Sequence, residues 1–323
     1  MALMDSEKAH KRALLALRVA TMTSLGRLML RALYKPKQVK LNIFKMEFSN
    51  PLGLAAGMDK KAEAMSGWQN IGFGFIEIGG VTMEAQDGNP KPRMFRSSKD
   101  RALINRMGFN NPGSENMAVH LAKTKKPSIP LFLNVGKSKN TPLDQAATDY
   151  ATTVERCGLY VDGFVINVSS PNTPNLRELQ KDEDLAKIIT SVKKYSGKKP
   201  VLIKIAPDLE DIEIKSIVDT ARDLDCQGII ATNTTIERPN QSGIMSQTGG
   251  LSGAPLKNRA TEVIRLIADH TDGNWPIIGV GGISSAEDAW EKIINGACLI
   301  QIYSTLVFDG AGSVKKIVNG LDK

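Results

Sequence analysis

Ile166-Asn167-Val168-Ser169-Ser170-Pro171-Asn172-Thr173-Pro174-Asn175-Leu176-Arg177 carries an apolar strand straight into a loop of hydroxyl and amide side chains. With Phe164 and Val165 before it, the run through Val168 reads as a parallel strand covered on both faces. The loop that follows therefore lies at the carboxyl end of a strand, where α/β barrels place their chemistry. Pro171 and Pro174 stiffen it. No histidine occurs in the run, so a serine among amides suits a neutral, amide-rich ligand better than a hydrolytic triad. Taken alone, Ser-Pro-Asn-Thr-Pro reads equally as an ordinary turn.

Repetition along the chain favours the barrel. Short apolar runs ending in polar or glycine residues recur at Leu52 to Gly57, Phe75 to Gly80, Leu131 to Asn134, Phe164 to Asn167, Val201 to Lys204, Ile229 to Asn233, Ile277 to Gly282 and Leu299 to Ser304. Helical patterns separate most of them, among them Leu143 to Arg156, Leu185 to Tyr195, Ile212 to Leu224, Ala260 to His270 and Ala286 to Asn295. Strands alternating with helices imply parallel pairing through crossovers. Eight such units in 323 residues predict an α/β fold of the (β/α)8 type. The excursion from Met83 to Ser128 is expected to roof the site, and Ile236 to Gly250 to form a lid.

The residues that end the strands are unusual. Lys60, Asn134, Asn167, Lys204 and Asn233 follow or close apolar runs, and all converge on one rim of a barrel. Lysine and asparagine are poor strand formers and are costly to bury unpaired, so a bound ligand that satisfies them is expected.

Seven runs then carry a resemblance: Asn50 to Lys60, Ile104 to Asn110, the serine loop, Lys204 to Asp208, Ala231 to Thr235, Thr248 to Gly253 and Gly279 to Gly282. In this order and spacing the chain resembles, over nearly its whole length, the dihydroorotate dehydrogenases of the quinone-linked, membrane-associated class. The resemblance implies oxidation of (S)-dihydroorotate to orotate in pyrimidine biosynthesis, with a hydride leaving C6 for FMN and a proton leaving C5 to a base. Ser170 matches the base, with Thr173 and Phe109 matching its proton relay; a serine hydroxyl is a weak base and must pass its proton on. Lys60, Asn105, Arg106, Met107, Gly108, Phe109, Asn167, Asn172, Asn233 and Thr234 match substrate contacts, and amides suit a flat ring with both N–H and carbonyl edges.

Around FMN the same resemblance sets Ala56, Gly57, Lys60, Gly80, Asn134, Asn167, Lys204, Thr232, Gly253, Gly282, Tyr303 and Ser304. Lys204 supplies the cation expected beside a flavin that gains negative charge on reduction. The phosphate is expected on glycine turns late in the barrel, around Gly253, Gly281 and Gly282. Gly80 stands where relatives carry threonine or serine, so a hydroxyl contact is missing there.

Charge separates the chain into two expected modules. The net charge is +8, but residues 1–40 hold nine lysines and arginines against Asp5 and Glu7, which is +7. Leu14, Leu15, Leu17, Val19, Met22, Leu25, Leu28, Met29 and Leu33 interleave with those cations. Residues 1–40 are thus expected to form an amphipathic helical cap on an anionic membrane surface, and residues 41–323 the FMN barrel. Arg18 and Arg27 interrupt any spanning run of the ~20 apolar residues required. A peripheral position on the cytoplasmic face of the inner membrane is expected. The resemblance implies a quinone site at His10, Arg96 and Tyr303. It also implies that the first of two tunnel helices is shortened or absent, and that the cap serves quinone but not dihydroorotate.

Cys157, Cys226 and Cys298 are isolated and odd in number, which argues against disulfides, zinc and iron–sulfur clusters. Neither a metal, a nucleic acid nor an obligate protein partner is expected. His120 and His270 read as surface helix residues. Two rival readings stay open at this point. An RNA-acting pyrimidine reductase of the dihydrouridine synthase kind would be expected to carry a cysteine acid and a further helical domain. A nucleotide-binding, membrane-docking barrel without enzymatic activity would purify without flavin colour.

Overall fold

The computed structural model of the chain describes residues 5–321. Two helices come first, α1 (Ser6–Ala20) and α2 (Ser24–Tyr34), bent by 114° at the break between them. Asp5 caps α1 by accepting from the Lys8 N–H at 3.0 Å, and Thr23 caps α2 through the Gly26 N–H at 3.0 Å. The first helix, expected to be shortened or absent, is present: α1 has 15 residues and α2 has 11. A hairpin of β1 (Leu41–Ile43) and β2 (Met46–Phe48) follows.

The eight runs read from the sequence then form the barrel. Its strands are β3 (Leu52–Leu54), β4 (Phe75–Val81), β7 (Leu131–Val135), β8 (Gly163–Asn167), β9 (Val201–Ile205), β10 (Gly228–Ala231), β12 (Ile277–Val280) and β13 (Leu299–Ile302). They close in that order, every pair parallel, with β13 returning to β3. Intervening or terminal helices are α3 (Met65–Asn70), α4 (Gly113–Lys123), α5 (Ala146–Cys157), α6 (Asp182–Ser196), α7 (Asp211–Asp223), α8 (Lys257–His270), α9 (Ala286–Ile294), α10 (Ser304–Asp309) and α11 (Gly312–Leu321). A second, antiparallel sheet sits over the carboxyl ends: β5 (Met94–Ser97), β6 (Ala102–Asn105) and β11 (Gly250–Gly253), in the order β11-β6-β5.

Two apolar layers explain why the chemistry leaves by only one end. Inside the barrel, Phe75, Phe132, Val165, Leu202, Ile230, Ile278 and Leu299 pack with Phe48 of the hairpin. Phe48, Phe75 and Phe132 meet edge to face at 5.5 and 6.0 Å, and Phe44 reaches Phe132 at 6.2 Å. The hairpin thus plugs the amino end. Outside, a continuous core joins the other strand faces to the helices, including Ile76, Ile78, Leu133, Ile166 and Ile203.

Helix α1 rests on the barrel through Ala9 and Leu14, whereas α2 buries none of its side chains. Arg31 fixes α2 by donating to Asn70 Oδ1 at 2.5 Å. Leu15, Val19, Met22, Leu25, Leu28, Met29 and Leu33 remain 54–72 % exposed, and a run of exposed apolar side chains of this kind suits an interaction surface. Among the described residues no single helix is long and apolar enough to cross a membrane. Cys157, Cys226 and Cys298 are free thiols, each raised by burial, to about 12, 12 and 11.

Candidate active site

A cavity of about 150 Å³, widening toward solvent, opens at the carboxyl ends of the strands. A polar layer forms its floor, just above the apolar barrel interior. Glu77, fully buried on β4, accepts from Asn134 Nδ2 at 2.6 Å, from Gln301 Nε2 at 2.7 Å and from Lys204 Nζ at 3.4 Å. Lys204 is itself only 5 % exposed, so the pair is a desolvated one held by further hydrogen bonds.

From this layer an amide chain climbs toward the serine loop. Asn167 Nδ2 donates to Asn134 Oδ1 at 3.0 Å, and Asn233 Nδ2 donates to Asn167 Oδ1 at 3.2 Å. Ser169 Oγ bridges the same two residues, donating to Asn167 Oδ1 at 3.1 Å and accepting from Asn233 Nδ2 at 3.0 Å. Ser170 lies beside this chain, buried at the cavity wall, with Oγ accepting from the Asn172 N–H at 3.3 Å. Asn172 Nδ2 donates in turn to Asn105 Oδ1 at 3.1 Å, joining the serine loop to β6 of the roof.

Cations and an aromatic ring complete the wall. Lys60 donates to Asn110 Oδ1 at 2.6 Å, and its ammonium is pushed down to about 7, mainly by desolvation and then by the Arg93 charge. Phe109 holds a positive φ of 49°, uncommon for a bulky residue, and its ring occupies a slot between Gly80 and Gly136. A Cβ added at Gly80 would stand 2.5 Å from that ring, and one at Gly136 would stand 2.9 Å from it. The missing side chain at position 80 is therefore occupied space, filled by Phe109.

Most of the expected residues line this cavity: Ala56, Gly57, Lys60, Gly80, Asn105, Met107, Gly108, Phe109, Asn134, Asn167, Ser170, Asn172, Lys204, Thr232, Asn233, Thr234, Gly253, Gly282, Tyr303 and Ser304. Four of the expected residues stand elsewhere, one of them, His10, in a neighbouring cavity. Thr173 is buried behind the wall. Arg106 stacks 4.6 Å above the Phe95 ring and donates to Gln247 Oε1 at 3.2 Å and Thr248 Oγ1 at 3.2 Å, so it ties the roof to the expected lid and does not line this cavity. Arg96 borders neither this cavity nor its neighbour, whereas Arg93, three residues earlier, does.

That neighbour, about 1150 Å³ and open, runs along α1 past His10, Lys11, Leu14, Leu15 and Arg18. It shares Gly57, Lys60, Met107 and Tyr303 with the first cavity. His10 is held neutral, lowered to about 4 by desolvation and then by the Lys60 charge. Burial raises the Tyr303 hydroxyl to about 12, so it stays a donor.

Several site residues were not anticipated from the sequence. Glu77 had a signal, a carboxylate inside a doubly covered strand that demands a buried partner. Arg177 spans three loops: Nε donates to Ser169 O at 3.1 Å, Nη2 to Thr234 O at 3.2 Å, and Nη1 pairs with Asp208 at 2.8 Å. Gln301 also lines the cavity, and its Oε1 is the one buried side-chain polar atom without a hydrogen-bond partner among the described residues.

Residues 38–323 match the family described as dihydroorotate dehydrogenase. A relative named dihydroorotate dehydrogenase (quinone), from Gloeobacter violaceus, is 49 % identical over 319 residues, 98 % of this chain and 90 % of its own. The chain belongs to the dihydroorotate dehydrogenase family. An archaeal member of the same name, from Halobacterium salinarum, is 47 % identical over 286 residues, 88 % of this chain and 81 % of its own. Among solved members, the Eimeria tenella enzyme in complex with ferulenol superposes with a TM-score of 0.89 at 35 % identity, covering 98 % of this chain and 90 % of that one. The dihydroorotate dehydrogenase fold thus extends over the two amino-terminal helices as well as the barrel.

Proposed function

We propose that this protein oxidises (S)-dihydroorotate to orotate, with FMN as its resident carrier and a membrane quinone as the electron acceptor. The observation that carries the reading is the convergence of Ser170, the amides of Asn105, Asn167, Asn172 and Asn233, and the Lys60 cation on one cavity. Two features fit a flavin beside them. Gln301 Oε1 needs a donor, which the pyrimidine edge of a flavin has, and Lys204 offers a fixed positive charge. Gly281 and Gly282, at φ 129° and 71°, turn tightly against the start of α8, Gly282 on Lys257 and Gly281 on Ala260 and Leu256, leaving backbone and no side chain toward a phosphate.

FMN, when bound, supplies the acceptor for the hydride from C6 and passes the electrons onward to quinone. The protein's own part is binding, orientation and proton removal. Asn105, Asn167, Asn172 and Asn233 present donors and acceptors to the ring edges, and Lys60 faces the carboxylate. Ser170 Oγ takes the C5 proton, and Thr173, close behind in the loop, carries it away with Phe109 shielding the site from bulk water. Lys204 compensates the charge that accumulates on the carrier.

Residues 1–40 act as the membrane and quinone module and residues 41–323 as the catalytic barrel. The exposed apolar face of α1 and α2, set among Lys11, Arg12, Arg18 and Arg27, suits insertion at an anionic surface such as the cytoplasmic face of the inner membrane. His10 and Tyr303 border the opening through which an acceptor reaches the carrier. Extraction and chromatography of the flavin from purified protein, followed by anaerobic bleaching with dihydroorotate, tests the reading. FMN that bleaches supports it; protein that purifies with a different flavin, or that fails to bleach, refutes it.

A further inference from the structure

Glu7 of α1 and Arg93 of the roof are both buried at 7 % exposure, although 86 positions separate them in the chain. The contact is bidentate: Arg93 Nε donates to Glu7 Oε2 at 3.1 Å and Nη2 to Oε1 at 2.9 Å. The third guanidinium nitrogen, Nη1, donates to the carbonyls of Asp87 at 2.6 Å and Asn89 at 2.9 Å, so the loop between them wraps the cation. Asn89 then reaches inward. Its Nδ2 donates to Arg106 O at 3.0 Å and to Asn172 O at 3.2 Å, and Asn172 sits two residues from Ser170.

We propose that Glu7 and Arg93 form a latch through which the amino-terminal helices position the substrate loop, with Arg93 and Asn89 as positioning residues for dihydroorotate binding. The inference rests on the reading of Asn172 as a substrate contact. The Glu7 carboxylate is what keeps the buried guanidinium compensated. Without it Arg93 is a desolvated charge whose best remaining course is to turn toward water, releasing the Asp87 and Asn89 carbonyls. Asn89 then loses its seat, and the Asn172 backbone loses the one side-chain bond that ties it to the roof loop. The latch departs from the expectation that the cap serves only quinone, since the same helix would anchor a loop of the other half-reaction.

The test is stopped-flow bleaching of the holoenzyme's flavin by dihydroorotate in Glu7→Gln, Asn89→Ala and the double variant. Each single change should raise the half-saturating dihydroorotate concentration roughly two- to thirty-fold, the span of measured couplings through such networks. The limiting bleaching rate should change far less. The double variant should be no worse than the poorer single one, because both break the same chain of contacts. Asn89→Ala alters no charge, so its effect separates positioning from any field that Glu7 exerts on Lys60, and it decides the matter if Glu7→Gln sheds its flavin. A lowered melting temperature with unchanged half-saturation in both singles would reduce the pair to a structural ion pair and overturn the proposal. Asn172→Ala is the reference: if it binds dihydroorotate normally, the substrate-loop reading itself fails, whereas an impaired Asn172→Ala beside silent Glu7→Gln and Asn89→Ala sinks the latch alone.

Discussion

Lys204→Met should destabilise this protein through the partner it abandons. Glu77 is fully buried, and with Lys204 removed it keeps only the amide donors of Asn134 at 2.6 Å and Gln301 at 2.7 Å. Breaking a buried pair on one side costs about 3–5 kcal/mol, because the remaining charge is uncompensated. For a chain of this size that corresponds to a melting temperature lowered by roughly 5–15 °C. The double change Lys204→Met with Glu77→Gln removes both charges and should recover most of the loss. Melting in saturating FMN separates this effect from weaker cofactor retention, which lowers apparent stability by mass action. Flavin potentials give a second readout of opposite sign. Lys204→Met should lower the potential, and Glu77→Gln, which leaves the Lys204 charge unopposed, should raise it. A single variant that melts like the parent, or a double as unstable as the single, would refute the assignment of Lys204 and Glu77 as mutually compensating charges.

Three further outcomes follow from the site. Ser170→Ala should keep its FMN but lose about 10²- to 10⁴-fold in bleaching by dihydroorotate, with Ser170→Cys recovering part; an alanine variant at the parental rate removes Ser170 as base. Lys60 is held near 7 by burial, so its charged form prevails below that pH and favours the substrate carboxylate. Half-saturating dihydroorotate should therefore rise as pH increases from 7 to 9, by up to about tenfold per unit, and Lys60→Met should abolish that slope in stopped-flow bleaching. Leu25→Asn with Leu28→Asn, at 67 % and 64 % exposure on α2, should weaken binding to anionic vesicles at least about tenfold in sedimentation while leaving bleaching by dihydroorotate intact. Equal vesicle binding would exclude that face as the membrane contact.

The barrel was legible because each of its strands is an apolar run, and the site because lysines and asparagines sit where such runs should end in caps or turns. What escaped the sequence is mostly pairing across distance. Glu77 meets Lys204 across 127 positions, and Glu7 meets Arg93 across 86, so neither partner is readable until the chain closes. The hairpin that plugs the barrel escaped for a local reason: its turn uses Phe44 and Lys45 at φ 54° and 59°, without the glycine or asparagine that usually signals it. The seat of Arg106 was not legible either: between the wall residues Asn105 and Met107, its guanidinium stacks on the Phe95 ring, a partner brought close only by the folded roof. Gly80 read as a lost contact and is instead the room that Phe109 needs.

Anaerobic double mixing follows both half-reactions in one experiment: dihydroorotate first, then a quinone, fumarate or NAD+, with flavin absorbance recorded throughout. A quinone-linked dihydroorotate dehydrogenase should bleach with stoichiometric orotate in the first step and regain its flavin colour rapidly with quinone, with little return from the other two acceptors. Bleaching that is absent with dihydroorotate, or colour that returns faster with fumarate or NAD+ than with quinone, would contradict that assignment.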